Sequence, residues 1–366
     1  MKILFILENY YPNIGGVETL FKSLATELAH RQYKITILTN QFDSKLARNE
    51  NIDGVNIIRV PFKNRYIFTF FAWIKAYKLA KQHDFIHTTS YNAGVPAFIA
   101  GWLSRKKVII TFHEVWGKMW LKLPFMNKAS LYLHYLFEKL LLNLSFYKFI
   151  AVSNATKNSL IKEGIPSTKI EMIHNGIDYG KFDNYQNTLK STNDTFTFTY
   201  FGRLGISKGL DILLESIKIL QDKETFKINI IIPRRPEGLL KTIKKIIKEN
   251  RIERTVHLLH ELPEEELFNI VKSSDCVVVP SYSEGFCFTA VETMALKTPI
   301  ISSGRGALKE VTSGKHLIME SLNPQALADC MNRAINNEFD FVPLKRFDLN
   351  DSIEKYIDLY NAINNK

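Results

Sequence analysis

At 366 residues, 46% apolar and 23% charged, the chain is too long for a single hydrophobic core and too apolar for disorder, so two globular domains of ordinary size are expected. Its three cysteines, Cys276, Cys287 and Cys330, have no metal-like spacing, which argues against a disulfide framework or a zinc site and predicts free thiols. The formal charge of +11 is local: residues 62–148 carry thirteen Lys or Arg against three acids, a net +10, and this uneven distribution speaks against a nucleic-acid partner.

The amino terminus, Met1 to Leu7, is an apolar strand that runs straight into Glu8 and Asn9, too short for a signal peptide and without a small-residue cleavage site; a cytosolic protein is expected. Strand 2–7 is followed by Asn13-Ile-Gly-Gly-Val-Glu18, where Gly15 and Gly16 allow the backbone to approach a ligand just before a helix at 17–30. Strands at 34–39, 56–60, 85–88, 107–112, 148–152 and 170–173 then alternate with helices at 67–82, 92–104, 128–145 and 154–163.

All four tryptophans (Trp73, Trp102, Trp116, Trp120) fall in the basic stretch 62–148, among dense Phe, Tyr and Leu. Basic residues interleaved with aromatic and aliphatic ones predict an interfacial surface resting on anionic lipid, the alternative being a helical core with a solvated lysine face. Neither 66–79 nor 131–147 reads as a membrane span, since Lys75, Lys78 and the Glu138-Lys139 pair interrupt them. The expected localisation is cytoplasmic, peripherally attached to the inner face of the membrane.

The polar stretch 181–194 reads as a linker after a first domain at 1–180. Beyond it, strands at 196–201, 226–232, 255–259, 275–280 and 298–302 alternate with helices at 208–222, 238–250, 263–272, 287–296 and 323–336, giving a second domain at 195–345. Such βα repetition, twice over, predicts parallel sheets wrapped by helices that bind ligands at the carboxyl ends of their strands: an α/β protein of two Rossmann-like domains facing across a cleft. The chain closes on an amphipathic stretch at 352–363, and in a fold of two such domains the terminal segment, 346–366, is expected to cross back onto the first.

In the second half, Phe201-Gly-Arg-Leu-Gly-Ile-Ser-Lys-Gly209 follows a strand and opens a helix, bringing Arg203 and Lys208 to a strand end. A planar guanidinium and a flexible ammonium suit a diphosphate, the first by bidentate contact and the second as a point charge. In Ser-Glu-Gly-Phe-Cys-Phe-Thr-Ala-Val-Glu292, Glu284 lies in a turn and Glu292 about two helical turns later. Both carboxylates could face one cleft and hold neutral hydroxyls beside an anion bound at the helix start, a combination that suggests a sugar nucleotide.

Taken in order, Gly15 to Glu18, Thr111 to Glu114, Val152 to Asn154, Asn175 to Asp178, Gly202 to Gly209, Pro280 to Phe286 and the E-x7-E pair resemble the retaining glycosyltransferases of family 4, which have the GT-B fold. The resemblance implies transfer of a hexose or N-acetylhexosamine from a nucleotide-diphosphate sugar, with UDP- expected ahead of GDP-. The implied acceptor is a glycan or lipid-linked glycan in bacterial surface polysaccharide assembly such as lipopolysaccharide. It further implies that Gly15 and Gly16 face the donor diphosphate, that Arg203 and Lys208 clamp it, and that the amides of Gly285, Phe286, Cys287 and Phe288 complete the cradle. Glu284 would hold the transferred sugar, Glu292 the ribose, and His113 would lie beside the donor sugar. No Asp-x-Asp is present, and fixed cations would do the work of a metal, so no metal or other cofactor is expected.

The chain departs from the family pattern at three places. Cys287 stands where a glycine is usual and would reshape the sugar pocket; Pro233-Arg-Arg-Pro236 replaces a Gly-x-Gly, leaving open whether Arg234 and Arg235 touch the donor; and Lys297 occupies another usual glycine position, a question of local strain. Two other functions are weighed: a nucleotide-sugar epimerase of the same fold, and a non-catalytic sugar- or nucleic-acid-binding protein.

Overall fold

The structure, a computed structural model, describes residues 1–13, 15–62, 64–185 and 195–365. Of the linker expected at 181–194, residues 186–194 lie outside the described residues. The chain forms two compact units, the first from Met1–Lys122, Asn127–Gly176 and Leu349–Lys366, the second from Leu123–Met126 and Ile177–Asp348.

In the first unit, β1 (Lys2–Ile6), β2 (Lys34–Asn40), β3 (Asn49–Ile52), β4 (Val55–Val60), β5 (Phe85–Thr89), β6 (Val108–Phe112), β7 (Lys148–Ala151) and β8 (Ile170–Met172) form one sheet. Their order is β3-β4-β2-β1-β5-β6-β7-β8, parallel except where β3 meets β4. Helices α1 (Gly16–His30), α2 (Arg65–Ala80), α3 (Gly94–Ser104), α4 (Lys128–Leu142) and α5 (Asn154–Lys162) fill the crossovers. Because side chains alternate along a strand, β1 serves two cores at once. Ile3 and Phe5 meet Leu20, Phe21 and Leu24 of α1 on one face, while Leu4 and Ile6 belong with Phe68, Ala72 and Ala76 of α2 and Ala97 and Ala100 of α3 on the other. With both faces covered, β5 and β6 are buried at every position, which is why they read as unbroken apolar runs.

The α2–α4 layer is apolar outwards as well. Tyr66, Phe70, Phe71 and Ile74 of α2, Trp102 of α3 and Leu133, Leu136 and Leu140 of α4 are exposed, Trp102 by 72%. Among the described residues no helix is long and apolar enough to cross a membrane.

In the second unit, β9 (Phe196–Phe201), β10 (Phe226–Ile231), β11 (Val256–Leu259), β12 (Cys276–Val279), β13 (Ile300–Ser302), β14 (Gly314–Ile318) and β15 (Asp340–Val342) are ordered β11-β10-β9-β12-β13-β14-β15. Only β15 is antiparallel to its neighbour. The helices are α6 (Gly180–Asp183), α7 (Leu210–Leu220), α8 (Glu237–Glu249), α9 (Glu264–Ser273), α10 (Phe288–Ala295), α11 (Leu308–Val311) and α12 (Pro324–Ile335). In α8, Leu240, Ile243 and Ile247 point inward at helical spacing, while Lys241, Lys244, Lys245 and Lys248 stay in solvent.

The last helix, α13 (Leu349–Asn364), returns to the first unit, as the resemblance implied, and buries Ile353, Tyr356, Ile357, Tyr360 and Ile363 in the α1-side core. Its seat includes His87 of β5, which is wholly buried, with Nδ1 2.7 Å from the Tyr360 hydroxyl and Nε2 2.8 Å from Thr111 Oγ1. Burial, with a smaller contribution from His113, pushes the His87 pKa down to about 3. A histidine that must stay neutral to fold contributes its stability fully above its unfolded pKa near 6.5 and loses it as the pH falls from there toward 3. Each pH unit in that window costs about 1.4 kcal/mol per group. Urea unfolding at pH 6.5 and pH 5 is therefore expected to show the wild type losing about 2 kcal/mol more than His87→Gln. Equal losses would show that the acid limb belongs to other groups.

Candidate active site

In the second unit the chain adds β10 and β11 on one side of β9, then returns to add β12 on the other. The crevice at the carboxyl ends of β9 and β12 is thus a topological switch point, where open α/β sheets bind ligands. Gly202–Gly209 leaves β9 and Ser281–Glu284 leaves β12, and the two loops are joined by Tyr282 N donating to Ser207 O at 2.8 Å. Here Lys208 and Glu284 come together: Lys208 Nζ donates to both Glu284 carboxylate oxygens, at 2.7 and 2.9 Å. Ser281 Oγ donates to the same carboxylate at 2.7 Å, and Glu284 itself is buried. Arg203 is exposed and stands outside this pair.

Two glycines fix the backbone on which the pair depends. Gly209 opens α7 at φ +69°, and a Cβ there would lie 2.1 Å from the Pro280 carbonyl oxygen. Gly306, in the loop after β13, has φ +59° and would place a Cβ 2.3 Å from the Glu284 carbonyl oxygen. Ala307 N donates to that same carbonyl at 2.8 Å. Gly306 was not singled out in the sequence, although Gly304-Arg-Gly306 directly after a strand was a signal for it.

Gly285, Phe286, Cys287 and Phe288 lead into α10, with Cys287 in the N-cap position at φ +75°. This left-handed backbone explains the usual glycine: the constraint is torsional, and Cys287 meets it at some strain with a buried thiol. Burial first, then the charge of Glu284, pushes that thiol well above its ordinary pKa. Lys297, the other glycine replacement, is likewise left-handed, at φ +58°. Glu292 lies on α10, partly buried, and desolvation with the nearby charge of Glu264 raises its carboxyl to about 7 against the pull of Lys181. Arg234 and Arg235 are exposed, and Arg234 Nε sits 3.4 Å from Glu261 Oε2.

In the first unit the switch point lies between β1 and β5. Gly15 caps α1 and Gly16 is its first residue; Gly15, at φ −173°, is extended backbone that does not itself require glycine. His113 follows β6 and packs edge-on against Phe21 of α1, ring centroids 6.4 Å apart, so the helix opened by the Gly-Gly turn and the histidine are neighbours. The loop beyond it is held by a residue that the sequence showed only as a charge interrupting an apolar helix. Glu138 of α4 is buried and accepts from Trp116 N at 3.0 Å, Gly117 N at 2.6 Å, Tyr91 OH at 2.8 Å and Trp120 Nε1 at 3.3 Å. Cys276, Cys287 and Cys330 are buried, and none of the three forms a disulfide.

Two α/β units, each with polar loops at a switch point, and a buried carboxylate–ammonium pair in the second, place the chain in the class of GT-B folds. Two family descriptions match, "Glycosyltransferase Family 4" over residues 14–181 and "Glycosyl transferases group 1" over residues 181–356. The chain belongs to this family and is a glycosyltransferase. It is similar to the phosphatidylinositol N-acetylglucosaminyltransferase GPI3 subunit of Saccharomyces cerevisiae, 23% identical over 99% of this chain and 83% of that one. It is also similar to the alpha-monoglucosyldiacylglycerol synthase of Streptococcus pneumoniae, 24% identical over 86% of this chain and 74% of that one. Among solved structures, Anabaena HepE in complex with UDP-glucose superposes with a TM-score of 0.78 at 18% identity, covering 99% of this chain and 100% of that one.

Proposed function

We propose that the chain is a retaining, metal-independent glycosyltransferase. It moves a hexose or N-acetylhexosamine from a nucleotide-diphosphate sugar, UDP- ahead of GDP-, to a lipid-linked acceptor in the assembly of bacterial surface glycans, working at the inner face of the membrane. The observation that carries this reading is the buried Glu284, bonded to Lys208 and Ser281 at the switch point of the second unit. A carboxylate there accepts from the hydroxyls of the sugar, and the ammonium beside it offsets the charge that develops on the departing phosphate. Arg203 and the amides at the start of α10 add to that positive field, the role a divalent cation plays elsewhere. Glu292 accepts from the ribose, and Gly15, Gly16 and His113 are assigned to donor binding on the family resemblance. In a front-face displacement the leaving phosphate oxygen takes the acceptor's proton, so Glu284 positions the sugar and forms no covalent bond to it.

Support for UDP comes from the UDP-glucose complex of HepE, and support for a lipid acceptor comes from two relatives whose names carry lipid substrates. The exposed aromatic and leucine side chains of α2, α3 and α4, set among the basic residues of 62–148, form the surface that rests on anionic lipid.

A thermal-shift panel of UDP-, GDP- and ADP-sugars tests the donor. A ligand present at a hundred times its Kd stabilises by about 2.7 kcal/mol, a shift of several degrees, and UDP-sugars are expected to give it. No shift with any nucleotide sugar would overturn the reading, and isomerised free donor in the product mixture would favour an epimerase.

A further inference from the structure

Helix α4 has two working faces. Outward, Leu133, Leu136 and Leu140 form an exposed apolar stripe at helical spacing. Inward, Glu138 is 1% exposed and takes four hydrogen bonds, all from neutral donors: two backbone amides, an indole and a phenol. Three of these donors, Trp116 N, Gly117 N and Trp120 Nε1, belong to the loop that begins at His113; the fourth, Tyr91, follows β5 and sits at φ +67°, a strained conformation for a bulky residue. The Tyr91 hydroxyl also reaches Glu114 O at 3.3 Å. The next residue of α4, Lys139, pairs with the C-cap of α5, whose carboxylate packs beside Gly117 of the same loop. Lys139 Nζ pairs with Glu163 at 2.5 Å, and Glu163 Oε1 lies where a Cβ on Gly117, itself at φ +51°, would come within 2.7 Å. Glu138 of α4 therefore ties down residues 116, 117 and 120 while the leucine side of the helix faces outward.

We propose that Glu138 is a positioning residue that couples the seating of α4 on a lipid surface to the placement of His113. An isolated buried carboxylate is costly, and four directed donors offset that cost only in one arrangement of the loop, so movement of α4 and movement of the loop are one event. The inference rests on the reading of 62–148 as lipid-facing and of His113 as a donor-side residue, and it adds a link between the two. Lipid contact on the leucine stripe holds α4, Glu138 holds the Trp116 and Gly117 amides, and His113 three residues upstream is held with them. An enzyme tied in this way turns over its donor well only at the membrane.

The test uses the full chain as wild type, Glu138→Gln, Glu138→Asp and Tyr91→Phe, with and without vesicles of phosphatidylglycerol. Two quantities are read: hydrogen exchange of the 113–122 amides, and kcat and KM for hydrolysis of UDP-glucose. In the wild type, vesicles are expected to slow exchange of the Trp116 and Gly117 amides about tenfold. They are also expected to raise kcat while leaving KM unchanged, because the donor is gripped by the second unit. Glutamine presents an amide N–H to a site of donors, so Glu138→Gln is expected to bind the vesicles equally well yet show neither response. Glu138→Asp should recover part of both. Adding Glu138→Gln to His113→Ala should lower kcat no further than His113→Ala alone. Tyr91→Phe removes one donor of four and gives the same pattern, smaller, should the glutamine variant fail to fold. A Glu138→Gln that responds like wild type, a further loss on the His113→Ala background, or a wild type whose loop exchange ignores the vesicles overturns the coupling. A wild type that neither binds nor hydrolyses UDP-glucose refutes the donor reading, and the exchange arm still decides the coupling.

Discussion

Glu284→Ala is expected to lower kcat/KM about 10²- to 10³-fold, and Lys208→Ala by a similar factor, while double substitution costs little more than either alone. The loss follows from the geometry: the ammonium and the carboxylate touch at 2.7 and 2.9 Å, so removing either takes away the contact that orients the other. Removing one charge-stabilising contact at a transition state is worth about 3–4 kcal/mol, which is the stated range. Stability separates the roles. Lys208→Ala leaves a buried carboxylate whose remaining bond is from Ser281, and a buried charge stripped of its partner costs about 3 kcal/mol, less here because Lys208 is itself 19% exposed. Lys208→Met combined with Glu284→Gln removes both charges and is expected to regain most of that stability while staying inactive, because replacing both partners avoids the unpaired group. Activity within a few-fold of wild type in Glu284→Ala, or stability losses that simply add in the double variant, would remove the pair from the site. Denaturant midpoints and single-turnover rates on the same preparations provide both readings.

Most of the sheet architecture was legible because the buried strands are apolar over their whole length and the helices repeat at 3.6 residues. The elements that were not legible share a physical cause. β3, Asn49-Glu-Asn-Ile52, and β15, Asp340-Phe-Val342, are short edge strands with partly or wholly exposed side chains, so neither carries an apolar alternation, and β14 hides behind Lys315 and His316. α6 and α11 are single turns of four residues, shorter than a period can reveal. At the site, spacing pointed to Glu284 and Lys208 but not to their direct pairing, which depends on residues 76 apart in sequence. Glu138 shows the limit most clearly. Written in sequence it interrupts Leu-Phe-Glu-Lys-Leu-Leu as a solvated charge would, and only the arrival of three donors from 116–120 and one from Tyr91 makes its burial tolerable. Cys287 teaches the converse: a departure from the family's residue left the backbone requirement in place, because φ +75° is set by the turn into α10 whatever side chain stands there.

Gly209→Ala is expected to be the most damaging single-methyl change in the second unit, costing about 3 kcal/mol of stability and abolishing the Lys208–Glu284 contact. Two terms act together. A left-handed residue other than glycine costs about 1 kcal/mol, and forcing a methyl into a packed site costs about 1–3 kcal/mol more. The second term falls toward its upper end here because the obstacle, 2.1 Å away, is the Pro280 carbonyl oxygen, with the carbonyl carbon at 2.7 Å, and backbone at the end of a buried strand does not rotate aside as a side chain would. Relieving the clash requires the 202–209 loop and the end of β12 to move apart, and Lys208 and Glu284, one on each side, are expected to separate with them. Gly238 provides the contrast. It lies in α8, a Cβ there meets nothing within 4 Å, and Gly238→Ala is expected to stabilise by about 0.5–1 kcal/mol with unchanged UDP-sugar binding. Denaturation midpoints and UDP-sugar thermal shifts of the two variants, side by side, decide the point: if Gly209→Ala kept wild-type stability and donor binding, the β9 and β12 loops would have to be looser than their packing indicates, and the buried ion pair would not be what holds the donor sugar.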